Sequence, residues 1–229
     1  MTFKFKRMNF SEAVRYLSIL KNFILDILFP VECLGCGKEK EWICSSCQDK
    51  IKMDIFVARG VFLDKIIAPY SYDERIIKQG IHLFKYKFIE DIGRDLGKIF
   101  VNGLEKLIKK NDFEAIVIPV PLHKKRLLER GFNQAEILAF NVGNFFSWGV
   151  ETKILSRSRF TVPQVGFSKE ERMDNIKEAF AVLDKNKVFN KKIVLTDDVF
   201  TTGATMEECA KVLKEAGAGE IWGFTLAKG

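Results

Sequence analysis

Residues Ile193-Val194-Leu195-Thr196-Asp197-Asp198-Val199-Phe200-Thr201-Thr202-Gly203-Ala204-Thr205 constrain this chain more than any other stretch. An apolar run over 192–196 predicts a buried strand. Two adjacent carboxylates follow it, then a hydroxyl-rich turn opening a helix from Gly203 to about Ala216. The free N–H groups of such a turn and the positive helix end make an anion site, and Gly203 lets the backbone approach closely. Thr201, Thr202 and Thr205 add hydroxyl donors suited to a phosphate monoester. Asp197 and Asp198 accept from neighbouring sugar hydroxyls. A phosphate beside a cis-diol describes ribose 5-phosphate. No lysine follows the glycine, which disfavours a nucleoside triphosphatase.

The surrounding pattern alternates strand and helix. Helices are expected over 73–87, 88–110 and 124–147. Strands are expected over 113–118, 151–155, 192–196 and 221–226, with strands or a hairpin within 60–72. Such alternation predicts an α/β fold, a parallel sheet flanked by helices, with ligands at the carboxyl ends of its strands. Phenylalanine is abundant, 21 among 229 residues, and is read mainly as core filler.

Ahead of this lies Cys33-x2-Cys36-x7-Cys44-x2-Cys47. Two Cys-x2-Cys knuckles each offer two thiolates to one tetrahedral ion, so a structural metal is expected, zinc ahead of iron. Lys38, Lys40, Lys50 and Lys52 offset the charge of four thiolates. Cys209, in the helix after the phosphate turn, is expected to be buried. The organisation expected is an amphipathic helix in 1–29, a four-cysteine module in 30–57 and the α/β domain in 58–229.

No apolar run reaches the roughly 18 residues of a membrane span. Lys4, Lys6 and Arg7 resemble the start of a signal peptide, but Glu12, Arg15 and Lys21 interrupt any apolar core behind them. A cytoplasmic protein is expected, with the inner face of the membrane as an alternative location for the helix. The net charge of +7 suits phosphate-bearing ligands, nucleic acid or an anionic surface.

A second basic segment, Pro119-Val120-Pro121-Leu122-His123-Lys124-Lys125-Arg126, also follows an expected strand. His123 suits a positioning role, and Lys124, Lys125 and Arg126 suit pyrophosphate or a nucleic-acid backbone equally well. Arg130-Gly131-Phe132-Asn133-Gln134 comes next, with Asn133 and Gln134 as bracing residues. The polar stretch from Arg157 to Asn175 lacks a clear period up to Ser168 and carries Arg157, Arg159 and Arg172.

The segment at 193–205 resembles the phosphoribosyl pyrophosphate motif of type I phosphoribosyltransferases. The wider chain resembles the competence protein F (ComF/GntX-like) family, which carries that domain behind a zinc module. The resemblance runs from Leu28 onward through Leu28-Phe29-Pro30, the four cysteines and Ile81-His82-Leu83-Phe84-Lys85-Tyr86. It continues in Ile118-Pro119-Val120-Pro121-Leu122-His123, Arg130-Gly131-Phe132-Asn133-Gln134 and Pro163-Gln164.

That resemblance implies phosphoribosyl pyrophosphate binding at Asp197, Asp198, Thr201, Thr202, Gly203, Ala204 and Thr205. It implies a pyrophosphate loop at His123, Lys124, Lys125 and Arg126, and a mobile catalytic loop in which Arg157 and Arg172 act. Mg2+ would accompany the ligand. A role in DNA uptake follows from the family alone, with single-stranded DNA and the uptake machinery as implied partners. Two other readings stay open: a non-catalytic nucleic-acid-binding module, and a nucleotide salvage enzyme. Salvage ranks last, because a nucleobase hood would have to come from the region of the cysteine module and residues 60–72, where no recognisable base pocket can be read.

Overall fold

The computed structural model describes residues 30–86, 90–109, 113–157 and 178–229. Two compact units divide the chain, Met1–Cys47 and Gln48–Gly229. In the first, Glu32 and Glu39 bridge across a tight turn near the cysteines. The helix expected over 10–29 lies outside the described residues. Cys47 rides on a single helical turn, α1 (Ser45–Gln48).

The larger unit runs β1 (Phe56–Ala58), β2 (Lys65–Ala68), β3 (Tyr70–Ser71), α2 (Arg75–Tyr86), α3 (Ile92–Glu105) and β4 (Ile116–Pro119). It continues with α4 (Lys124–Arg130), α5 (Gln134–Phe146), β5 (Gly149–Val150), β6 (Leu155–Arg157), β7 (Phe180–Val182), β8 (Ile193–Phe200), α6 (Ala204–Glu215) and β9 (Ile221–Lys228). Strand order in the main sheet is β1-β2-β9-β8-β4-β5, with β3 also on β9. Its ladders are parallel except for β1 on β2. The expected α/β architecture is therefore the observed one. No helix among the described residues is long and apolar enough to cross a membrane.

The two central strands, β8 and β9, are almost wholly buried, as near-continuous apolar runs covered on both faces should be. Ile193 and Leu195 pack with Met206, Cys209 and Leu213 of α6. Val194 and Thr196 alternate with them toward the opposite face, and α5 packs across β4 and β8. Cys209 is fully buried, as expected. Phe84, Phe100 and Phe224 do fill the core, whereas Phe140 and Phe189 are exposed.

Three local expectations are corrected. The helix expected over 124–147 is two helices. Gly131, at φ 77°, caps α4 by donating its N–H to Leu127 O, and Asn133 starts α5 by accepting from Ala135 N. The strand expected over 151–155 is replaced by β5, which pairs with β4, and by β6, which pairs antiparallel with β7 outside the main sheet. The third strand does not stop at Thr196. It runs on to Phe200, because Asp197, Val199 and Phe200 keep pairing with Thr225, Ala227 and Lys228. The strands expected within 60–72 are found as β2 and β3, both paired parallel with β9 of the main sheet.

Candidate functional site

The carboxyl ends of β8 and β4 bound a cleft of about 330 Å³ in the larger unit. Asp197 and Asp198 enter it while still held by the β8–β9 ladder, which fixes their backbones. Asp198 is buried, and its carboxylate meets the Lys85 ammonium at 2.8 Å. Asp197 turns Oδ1 back to accept from the Asp198 N–H at 2.8 Å. Burial and the neighbouring Asp198 charge push Asp197 up to about 7, and Lys85, that N–H and Arg157 offset this only partly. Burial pulls Lys85 down, but the charge and hydrogen bond of Asp198 outweigh it and raise the ammonium.

Beyond the acid pair the chain makes the expected turn. Gly203 takes φ 80°, and a Cβ there would sit 2.4 Å from the Phe200 ring, so no other residue fits without displacement. The Ala204 N–H donates to Thr202 Oγ1 at 3.4 Å. A concavity of about 30 Å³ lies inside the turn, lined by Asp197 and the whole of Thr201–Thr205. Thr201 and Thr205 also face the larger cleft. Thr202 instead borders a separate, mostly apolar hollow of about 860 Å³ with Phe56, Phe62 and Phe200.

On the far wall, β4 delivers Val120, Pro121 and Leu122 to the cleft. Asn133 braces this turn by donating to Val120 O at 3.1 Å. His123 caps α4, its Nδ1 accepting from Lys125 N at 3.2 Å. Of the four residues expected to form a pyrophosphate loop, Arg126 lines the cleft. Lys124 and Lys125 are exposed and His123 half-buried, and none of these three is part of the cleft wall. Arg157, at the end of β6, lines the cleft with its guanidinium 5.2 Å from the Phe180 ring. Burial and the Arg126 charge lower it. Arg159 and Arg172 lie outside the described residues.

Lys85, Tyr72 and Arg130 also line the cleft. The first two arrive from α2 and the segment before it, far from the acid pair in sequence. Gln134 joins these parts. Its Nε2 donates to Phe84 O at 2.9 Å, and its Oε1 accepts from Arg130 Nη1 at 3.0 Å. Local patterning marked Arg130 and Gln134 as neighbours of a basic turn. It carried no sign that Lys85 would reach Asp198.

In the smaller unit the sulfurs of Cys33, Cys36, Cys44 and Cys47 lie within 4.8 Å of one another and can hold a metal ion. Cys33 Sγ accepts from the N–H groups of Gly35 and Cys44 at 3.4 and 3.3 Å. Burial raises Cys33, but N–H donors from Cys44, Cys36 and Gly35 bring it down to about 6. Cys47 is pushed up to about 12, first by the Cys44 thiol and then by burial. Four thiolates can coexist there only around a cation.

No family model matches the chain. Two solved structures are similar over part of it, the allosteric regulatory enzyme of purine biosynthesis and the glutamine phosphoribosylpyrophosphate amidotransferase from B. subtilis. The first has TM-score 0.39 at 19% identity and covers 58% of this chain and 25% of its own. The second has TM-score 0.38 at 19% identity, covering 57% and 25%. Among curated proteins, the DNA utilization protein YhgH of Escherichia coli O157:H7 is 33% identical over 108 residues, 46% of this chain and 47% of that protein. Competence protein ComFC of Streptococcus pneumoniae is 33% identical over 198 residues, covering 86% and 80%. Competence protein F of Haemophilus influenzae is 30% identical over 204 residues, covering 87% of this chain and 86% of that one. Identity sustained over nearly the whole of both chains means that the protein belongs to the competence protein F (ComF) family.

Proposed function

We propose that the cleft binds phosphoribosyl pyrophosphate and that the protein serves DNA uptake. The observation that carries the reading is the opening of one acid pair and one phosphate-sized turn into a single cleft with Arg126, Arg130 and Arg157. On this reading the 5-phosphate takes the N–H groups and hydroxyls of Thr201–Thr205, with Gly203 and Ala204 supplying backbone. Asp197 and Asp198 accept from the ribose hydroxyls. The arginines face the pyrophosphate, and their planar donor pairs match its oxygens. If phosphoribosyl transfer occurs, these residues act by positioning the ligand and stabilising charge as the ribosyl centre becomes cationic. The DNA role draws on the names of the relatives, competence and DNA utilization proteins.

Two metals belong to the proposal. Mg2+ suits the acid pair, whose two adjacent carboxylates both open on the cleft. When bound with the ligand, the ion would neutralise pyrophosphate oxygens, and Asp197 and Asp198 are the carboxylates available to it. Zinc suits the cysteine cluster. The Cys36–Cys44 separation of 3.7 Å agrees with the edge of about 3.8 Å expected for a tetrahedron with Zn–S near 2.3 Å.

The test is calorimetric titration with phosphoribosyl pyrophosphate, with and without Mg2+. The Asp197→Asn/Asp198→Asn double variant keeps side-chain size and removes the charged acceptors. Its affinity should fall by about 2–4 kcal/mol, as two charged hydrogen bonds become neutral ones. Unchanged affinity would remove the reading.

Direct binding of single-stranded DNA is a second reading, favoured by α4. This helix buries none of its residues and carries exposed Lys124 and Lys125 beside the cleft.

A further inference from the structure

Lys85 stands apart from the other cations of the cleft. Arg126 and Arg130 sit on or next to the turn that local sequence had already marked as basic. Lys85 comes instead from the last turn of α2 and touches the acid pair itself. It is 22% exposed, so its ammonium is largely withdrawn from solvent while still opening on the cleft.

A purely structural role accounts poorly for it. Withdrawing an ion pair from water costs about as much as the pair returns, and an apolar pair of similar volume would hold the fold as well. Yet the position of Lys85 is over-determined. The Phe84 carbonyl of its helix end accepts from Gln134 Nε2 at 2.9 Å, and Gln134 Oε1 in turn accepts from Arg130 at 3.0 Å. The negative end of α2 favours the ammonium as well. One bonded path therefore runs from Arg130 through Gln134 to the helix end that presents Lys85 to Asp198.

An ammonium has three donors. Among the described residues Asp198 Oδ1 is the acceptor recorded for them. The stereochemistry of the ligand supplies others. In α-configured phosphoribosyl pyrophosphate the anomeric oxygen lies on the same face of the ribose ring as the 2- and 3-hydroxyls. A cation bonded to the carboxylate that takes those hydroxyls is therefore within reach of the first pyrophosphate oxygens. The charge balance agrees. Lys85, Arg126, Arg130 and Arg157 face Asp197 and Asp198, and no other acidic residue lines the cleft among those described. Such an excess suits a polyanion rather than a neutral sugar.

We propose that Lys85 is a ligand-binding residue of this cleft, which holds Asp198 for the ribose hydroxyls and donates its remaining N–H groups to the pyrophosphate, so that the site discriminates phosphoribosyl pyrophosphate from ribose 5-phosphate. This rests on the phosphoribosyl pyrophosphate reading above and names the residue that makes it selective.

The experiment titrates three probes, phosphoribosyl pyrophosphate, ribose 5-phosphate and inorganic pyrophosphate, into wild-type protein, Lys85→Gln and Asp197→Asn/Asp198→Asn. Glutamine keeps an N–H donor for Asp198 and so protects folding while removing the charge. Lys85→Arg, which keeps the charge, is the companion should the glutamine variant fail to fold. For Lys85→Gln, affinity for the two pyrophosphate-bearing probes should fall by about tenfold or more, the loss of one charged hydrogen bond. Ribose 5-phosphate should change by less than about threefold. Lys85→Arg should keep the wild-type preference for phosphoribosyl pyrophosphate over ribose 5-phosphate.

Equal losses for phosphoribosyl pyrophosphate and ribose 5-phosphate in Lys85→Gln, with inorganic pyrophosphate unchanged, would mean that Lys85 acts only through Asp198, and would overturn the inference, as would equal losses for all three probes. Unchanged binding of all three, or a lost preference in Lys85→Arg, would overturn it too. Those failures leave intact the Asp197/Asp198-dependent binding on which the functional reading stands. A wild-type protein that binds neither sugar phosphate removes both.

Discussion

At the scale of single residues, Asp197 couples the site to pH. Its carboxyl is pushed up to about 7 by burial and by Asp198, against about 3.9 in an unfolded chain. Between these values the folded protein keeps a proton that the unfolded chain has released. The associated stability is fully present below about pH 4 and is lost as pH rises through about 7. Asp197→Asn should therefore melt higher than wild type at pH 8, by on the order of 1–3 kcal/mol, with the gap closing toward pH 4. Thermal melts across that range check it. A wild-type advantage at pH 8 would contradict the cause assigned to the shift. Ligand binding should move the other way, because the ionised carboxylate is the better acceptor for a ribose hydroxyl. Gly203 holds a backbone conformation that other residues take only with strain. Gly203→Ala places a Cβ against Phe200 at a left-handed φ, and should cost about 1–3 kcal/mol while weakening ribose 5-phosphate binding. A denaturant melt and a titration read the two effects separately.

At the scale of elements, what could be read from the sequence was whatever is local. Strand, acid pair, hydroxyl turn and helix are contiguous, so the order of residue types already gave the order of chemistry, and the cysteine knuckles likewise. Breaks and reach were harder to read. Apolar spacing runs on across 124–147, and nothing periodic reveals that Gly131 and Asn133 stop one helix and start another. The acid pair looks like loop because two carboxylates are poor strand formers, yet the ladder with Thr225 and Ala227 holds them in β8. Lys85 reaches Asp198 because α2 packs against α3 and its end is tied to Gln134, a tertiary fact with no local signature. Asn133 shows what the break is for. One side chain caps α5 through Ala135 N and ties down the β4–α4 turn through Val120 O. Asn133→Ala should lose about 1–2 kcal/mol as a cap. If the brace matters to ligand binding, Asn133→Ser, which keeps a cap acceptor but is too short to donate to Val120, should fold and bind pyrophosphate more weakly. Unaltered pyrophosphate affinity in that variant would reduce the brace to a folding device.

At the scale of the whole molecule, the two units should respond to different reagents. The cysteine unit needs a cation to keep four sulfurs together, and a structural metal contributes directly to local folding. Chelation should therefore remove one ion per chain and abolish the protection of Cys44 from alkylation. The main thermal transition, from the sheet of Gln48–Gly229, should persist. The net charge of +7 raises the remaining question, whether one positive surface serves both a small polyanion and DNA. The structure divides the basic turn that local sequence had treated as a unit. Arg126 lines the cleft, while Lys124 and Lys125 stand exposed on α4 outside it. Neutralising Lys124 and Lys125 together should thus leave phosphoribosyl pyrophosphate affinity within about twofold, since exposed charges outside the site are screened. The same change should weaken single-stranded DNA binding and reduce its log–log salt slope by roughly 0.7 for each lost phosphate contact. Arg126→Gln should do the reverse, lowering small-ligand affinity with little change in that slope. Fluorescence titrations over a salt series measure both in the same samples. If wild-type protein shows no DNA affinity even at low salt, α4 is a solvated helix and the family's link to DNA runs through other partners. If all three substitutions weaken both ligands in proportion, the cleft and α4 form one continuous polyanion track.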